Sequence, residues 1–123
     1  MDPRSEALKA RTRQFALRVI KMTRSLPPSM EGRVIGKQLL RSATSVAANY
    51  RAACRGRSRA DFLSKMGVVV EEADESAFWL ELLADAEIVK RERLSELAKE
   101  ANELLAIFAA AQLTTKRSMR NAE

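Results

Sequence analysis

Apolar residues recur along this chain at spacings of three and four, the signature of one face of an α-helix, and the pattern breaks three times. Leu8, Thr12, Phe15, Val19 and Met22 share one side of a helix predicted from about Ser5 to Arg24, and Ala16 and Ile20 widen that side. Ser25-Leu26-Pro27-Pro28-Ser29 ends it, because proline removes a backbone donor and drives the preceding residue out of helical angles. A second helix is expected from Met30 or Glu31 to Arg55, with Ile35, Leu39, Ser42, Val46, Tyr50 and Ala53 inward. Gly36, Ala43 and Ala47 flank that stripe and would admit a close neighbour. Gly56 reads as a left-handed C-cap. Ser58 reads as the next N-cap, with Asp61 in a capping-box-like position.

The third helix is predicted from Arg59 to Glu87. Phe62, Met66, Val69, Val70, Ala73, Ala77, Leu80 and Ala84 make its core stripe. A second apolar set, Val68, Trp79, Leu82 and Leu83, falls to one side, interleaved with Glu72 and Glu75. A helix with two apolar faces must bury both, so Val68, Glu72, Trp79, Leu82 and Leu83 are expected at a contact with another copy of the chain. The fourth helix runs from Arg91 to Thr115, burying Leu94, Leu97, Ala98, Ala101, Leu104, Leu105 and Phe108. Residues 116–123 lack an apolar stripe and are expected to fray. Short links between four helices predict an all-α, antiparallel up-down four-helix bundle over residues 1–115.

Composition sharpens this in one respect. The formal net charge of +6 is unevenly spread: residues 1–65 hold fifteen Lys and Arg against four Asp and Glu, a net of +11, and residues 66–123 hold seven against twelve, a net of −5. Much of the excess lies opposite the core side of the second helix, where Arg33, Lys37, Arg41, Thr44, Ala48, Arg51 and Arg55 form a stripe that no acid interrupts. With Arg57, Arg59 and Lys65 added, it could neutralise several phosphates of RNA or DNA, and nothing in it points to base-specific readout. The competing reading is complementarity, with the arginines paired to Glu72, Asp74 or Glu75 of other helices or subunits.

Catalytic chemistry finds little support. The chain has no histidine, which removes the commonest general base and the Ser-His and Cys-His nucleophile arrangements. Glu71-Glu72-Ala73-Asp74-Glu75 scatters its carboxylates around a helix and reads as a solvated or paired face, so neither metal nor cofactor is expected. Gly32-Arg33-Val34-Ile35-Gly36-Lys37-Gln38 is one residue short of a phosphate loop, lacks its Ser/Thr and follows no strand. Cys54 is the only cysteine and reads as a small apolar residue. No run is apolar or long enough for a signal peptide or a bilayer span, so the expected setting is cytoplasmic, without a membrane partner.

Several stretches together resemble a known family. They are Leu26-Pro27, the run from Gln38 through Ser42-Ala43-Thr44-Ser45 to Asn49-Tyr50, Ala60-Asp61-Phe62-Leu63-Ser64-Lys65-Met66, Glu71-Glu72-Ala73-Asp74-Glu75-Ser76, and Trp79-Leu80-Glu81-Leu82-Leu83. Over residues 10–113 the chain resembles the bacterial four-helix-bundle proteins first noted as products of intervening sequences in large-subunit ribosomal RNA genes. The resemblance implies an up-down bundle and a ring-like homo-oligomer, commonly a pentamer. Related bundles are accessory proteins of diversity-generating retroelements, where a basic pentamer engages RNA and a reverse transcriptase. This chain departs from the usual pattern after Asn49: Tyr50-Arg51-Ala52-Ala53-Cys54-Arg55-Gly56 replaces an acid-containing stretch and makes the surface more basic.

Overall fold

The computed structural model describes residues 2–122, so Met1 and Glu123, which close the predicted bundle and tail, lie outside it. Four helices follow one another: α1 (Pro3–Thr23), α2 (Met30–Cys54), α3 (Arg59–Asp85) and α4 (Arg91–Ala122). Each packs on the next and α4 returns to α1, while α1 and α3 lie diagonally opposite, as do α2 and α4. This is an antiparallel up-down four-helix bundle. The core is drawn from all four helices and centres on Phe15, Val19, Leu39, Val46, Met66, Val69, Leu80, Leu83, Leu94, Leu104 and Phe108. Tyr50 lies tilted against Phe108 at 4.9 Å between ring centroids.

Local chemistry sets the starts. The Asp2 carboxylate accepts from Arg4 N at 3.0 Å and Pro3 opens α1, where a missing N–H has no consequence. Ser29 Oγ accepts from Gly32 N, and Ser58 Oγ accepts from Asp61 N, each at 3.1 Å. Asp61 reaches back to Arg57 N at 3.4 Å, one residue beyond the N-cap that a full capping box would engage.

The ends differ from expectation. Gly56 is not left-handed; no described glycine has positive φ. α2 closes with a tight turn in which Arg55 N and Gly56 N donate to Ala52 and Ala53. Glycine fits at 56 for lack of a Cβ, which would stand 3.1 Å from the Ala53 carbonyl and 3.3 Å from Phe62 N. The left-handed residue is Glu87, with φ of 59°, after α3. Ile88 N donates to Leu83 O and Glu87 N to Ala84 O, the paired bonds of a Schellman cap. A non-glycine residue there costs about 1–2 kcal/mol, offset by those bonds and by burial of Val89 beside a partly buried Ile88. Gly36 receives the α1–α2 link and not a helix: a Cβ would lie 2.6 Å from Leu26 Cδ1.

α4 continues to Ala122, past the predicted end at Thr115, so the tail expected to fray is helical as far as it is described. No proline or glycine stops it, and Arg59 Nη1 donates to Ser118 Oγ at 2.9 Å, tying the extra turns to the start of α3. Among the described residues, no helix is long and apolar enough to cross a membrane.

Candidate nucleic-acid interface

The outer side of α2 carries the basic stripe. Arg33, Lys37, Arg41, Arg51 and Arg55 are all exposed, as are Arg57 and Arg59 at the α2–α3 turn. Their engagement differs. The Arg33 guanidinium donates to the Pro28 carbonyl at 3.0 Å and stays beside the α1–α2 link. Arg41 leaves the stripe for α3, donating to Glu72 at 2.9 Å and to Glu75. The hydrogen bond to Glu75 and the charge of Glu72 raise the Arg41 pKa, and that same Arg41 bond lowers Glu75. Among the described residues, Lys37, Arg51, Arg55 and Arg57 form no ion pair. At about 100° per residue, Arg33, Lys37, Arg51 and Arg55 share the part of the outer face that leans towards α1.

That lean joins them to cations the sequence argument did not single out. Arg51 lines a groove of about 520 Å³ between α1 and α2, whose α1 wall carries Lys9 and Arg13. Lys9 pairs with Glu6 at 2.7 Å. Arg13 is exposed and makes no ion pair among the described residues. Lys9 and Arg13 stand four apart in sequence and so share one face of α1, the face that lines this groove with Arg51.

The residues expected at a contact between copies divide. Leu83 is fully buried and belongs to the protomer's own core, and Glu72, 9% exposed, is held at the α2–α3 seam by Arg41, so neither is free to meet another subunit. Trp79 and Leu82 are half-buried and Val68 is exposed. The correction has a geometric cause: α3 is covered by α2 on one flank and α4 on another, so its buried arc is wider than one stripe and takes in Glu72, Ser76 and Leu83. Phe78, absent from the expected set, is 51% exposed and packs edge-on against Trp79 at 4.9 Å. Around it Glu71, Asp74, Glu81 and Asp85 face outward, so the molecule has a basic flank on α1 and α2 and an acidic one on α3.

The helix order, the α2 motifs and the acidic third helix define a class, a small up-down bundle with opposed charge on its flanks. The family model described as "23S rRNA-intervening sequence protein" matches residues 7–110, and the chain belongs to that family. It is also similar to a solved structure of a protein of unknown function from the S23 ribosomal protein family of Bacteroides thetaiotaomicron VPI-5482. The two are 32% identical with a TM-score of 0.81, and the match covers 88% of this chain and 96% of that one. No curated protein matches this chain.

Proposed function

We propose that this protein is a non-enzymatic, cytoplasmic bundle that assembles with copies of itself, as a pentamer by the resemblance of its motifs, and associates with RNA through its basic flank. The supporting observation is the set of exposed cations on α2 that pair with no carboxylate among the described residues, Lys37, Arg51 and Arg55, extended onto α1 by Arg13. Phosphates would exchange condensed counterions for these groups, so affinity should fall steeply as salt rises. A reverse transcriptase or another nucleic-acid protein is a fitting further partner. Self-association is supported by Phe78, Val68 and the half-buried Trp79 and Leu82, an apolar group larger than a helix needs on its wet side.

Fluorescence anisotropy with labelled single- and double-stranded RNA at ~50 and ~200 mM salt tests the binding half. Binding that weakens by orders of magnitude between the two is expected; none at the lower salt ends the nucleic-acid reading. Light scattering tests the assembly half, and a stable 13.7 kDa species at micromolar concentration would remove it. The second reading, a protein-binding or structural assembly, draws support from Arg41, whose charge α3 carboxylates already satisfy. RNA indifference together with oligomers that dissociate when Arg51 and Arg55 are changed to Glu would favour that version.

A further inference from the structure

The groove between α1 and α2 differs from the rest of the basic flank in having a floor. Ala10 of α1 and Ala47 and Ala48 of α2 leave a recess where longer side chains would fill the space between the helices. Arg13 and Arg51 stand over it, and the one acid at the rim, Glu6, is already paired with Lys9. At about 520 Å³ the recess falls within the range of small-molecule sites, roughly 300–1,000 Å³, and is large enough for one nucleotide. An open electrostatic surface would take any polyanion. A recess with an apolar floor and cationic walls suits a flat, weakly polar group attached to a phosphate.

We infer that this groove seats one unstacked nucleotide of a single-stranded RNA, its base over the alanine floor and its two flanking phosphates at Arg13 and Arg51, towards opposite ends of the groove. The inference rests on the RNA-binding reading and deepens it by naming strand state. A paired base is held in its stack and cannot enter a recess between helices, whereas an unpaired one swings out freely. The groove therefore gives a preference for single strands that charge alone does not. The Thr44 hydroxyl in the lining already donates to the Leu40 and Arg41 carbonyls, and the alanine methyls offer no directional hydrogen bond, so base identity matters little.

Three variants separate the terms, each measured against single-stranded and duplex RNA across a salt series. Arg13→Ala/Arg51→Ala removes two exposed residues without ion pairs, so the fold should hold. Its single-strand salt slope should fall by about 1.4, the share of two phosphate contacts. Lys116→Ala/Arg117→Ala removes the same charge from exposed positions far along α4 and should change the slope much less. Ala48→Leu keeps every charge, places a good helix former at an exposed position, and fills the floor. It should weaken single-strand binding about fivefold or more while duplex binding and salt slope stay put. If the wild type ignores RNA, the RNA reading itself fails. If it binds and Arg13→Ala/Arg51→Ala behaves like the α4 control, or Ala48→Leu leaves the single-strand preference intact, the groove inference alone is overturned.

Discussion

Two seams of this bundle are built by different chemistry. Where α2 meets α3 the contact is the most extensive in the molecule, and the residues that make it are small: Ser42 and Ala43 on one side, Ala73, Ser76 and Ala77 on the other. Ser76 Oγ lies 3.0 Å from Ser42 Oγ and 2.9 Å from the Glu72 carbonyl, so this buried polar pair is satisfied inside the seam. Where α1 meets α4 the contact is the least extensive, and a groove of about 350 Å³ remains between them beside Met22 and Leu97. Arg11 spans that gap, pairing with Glu100 and, at 3.2 Å, with Glu103. Small side chains let two helices approach until their backbones carry the packing; long charged ones hold helices that have not approached. The bundle is thus a close α2–α3 pair with α1 and α4 laid against it.

Truncating one leucine in each seam tests the contrast most strongly. Leu83→Ala on the α2-facing flank of α3 opens a void in fully packed surroundings and should cost about 4–5 kcal/mol, the upper end of the usual range. Leu97→Ala, 6% exposed beside the α1–α4 groove, leaves space that solvent already borders and should cost about 2–3 kcal/mol. Urea denaturation of both variants measures the difference. Equal losses would mean that the two seams are packed alike.

The fold was legible in this sequence, and the reason is instructive. Prolines 27 and 28 and the Ser58 cap act within a few residues of themselves, so their effect needs no partner helix. Periodicity gave the helices and most of the core for the same reason. What failed depended on neighbours. Leu83 looked surplus because a single stripe was assumed, and α3 in fact buries a flank against each of two helices. Gly56 looked left-handed because that is glycine's commonest use at a helix end, yet its use here is the space it leaves for the start of α3. Glu87 adopts the strained conformation with no residue type to announce it. The basic stripe was legible as spacing along one helix, but Arg41's departure to α3 and the arrival of Arg13 in one groove with Arg51 are properties of pairs.

The ion pairs sharpen the comparison at smaller scale. Hydrogen bonding to Glu100 raises the Arg11 pKa, with the charges of Glu100 and Glu103 adding to it, so the guanidinium keeps its charge throughout any practical pH range. Arg11 is partly exposed, and a pair of that kind contributes about 1 kcal/mol or less and is screened by salt. Arg11→Ala should therefore lower stability slightly at low salt, and the loss should shrink near 1 M salt. A loss that salt leaves unchanged would assign the role of Arg11 to packing of its aliphatic stem against α4.

The smallest effect is also the most local, because the chain's single tryptophan reports on the α2–α3 clasp. Trp79 Nε1 donates to Glu75 Oε1 at 3.3 Å, and Arg41 holds the same carboxylate. The Arg41 hydrogen bond, aided by that from Trp79, keeps the folded Glu75 carboxyl below its ordinary value of 4.5. A carboxyl depressed by folding contributes stability that is fully present above the unfolded pKa and is lost as pH falls through the folded one. The clasp should thus survive at pH 5 and weaken below about 4.5. Trp79 fluorescence followed from pH 6 to 2 should show a transition with its midpoint under that value, and Arg41→Gln should move the midpoint upward. A midpoint that Arg41→Gln leaves in place would detach Glu75 from Arg41, and the close seam would then be held by its small residues alone.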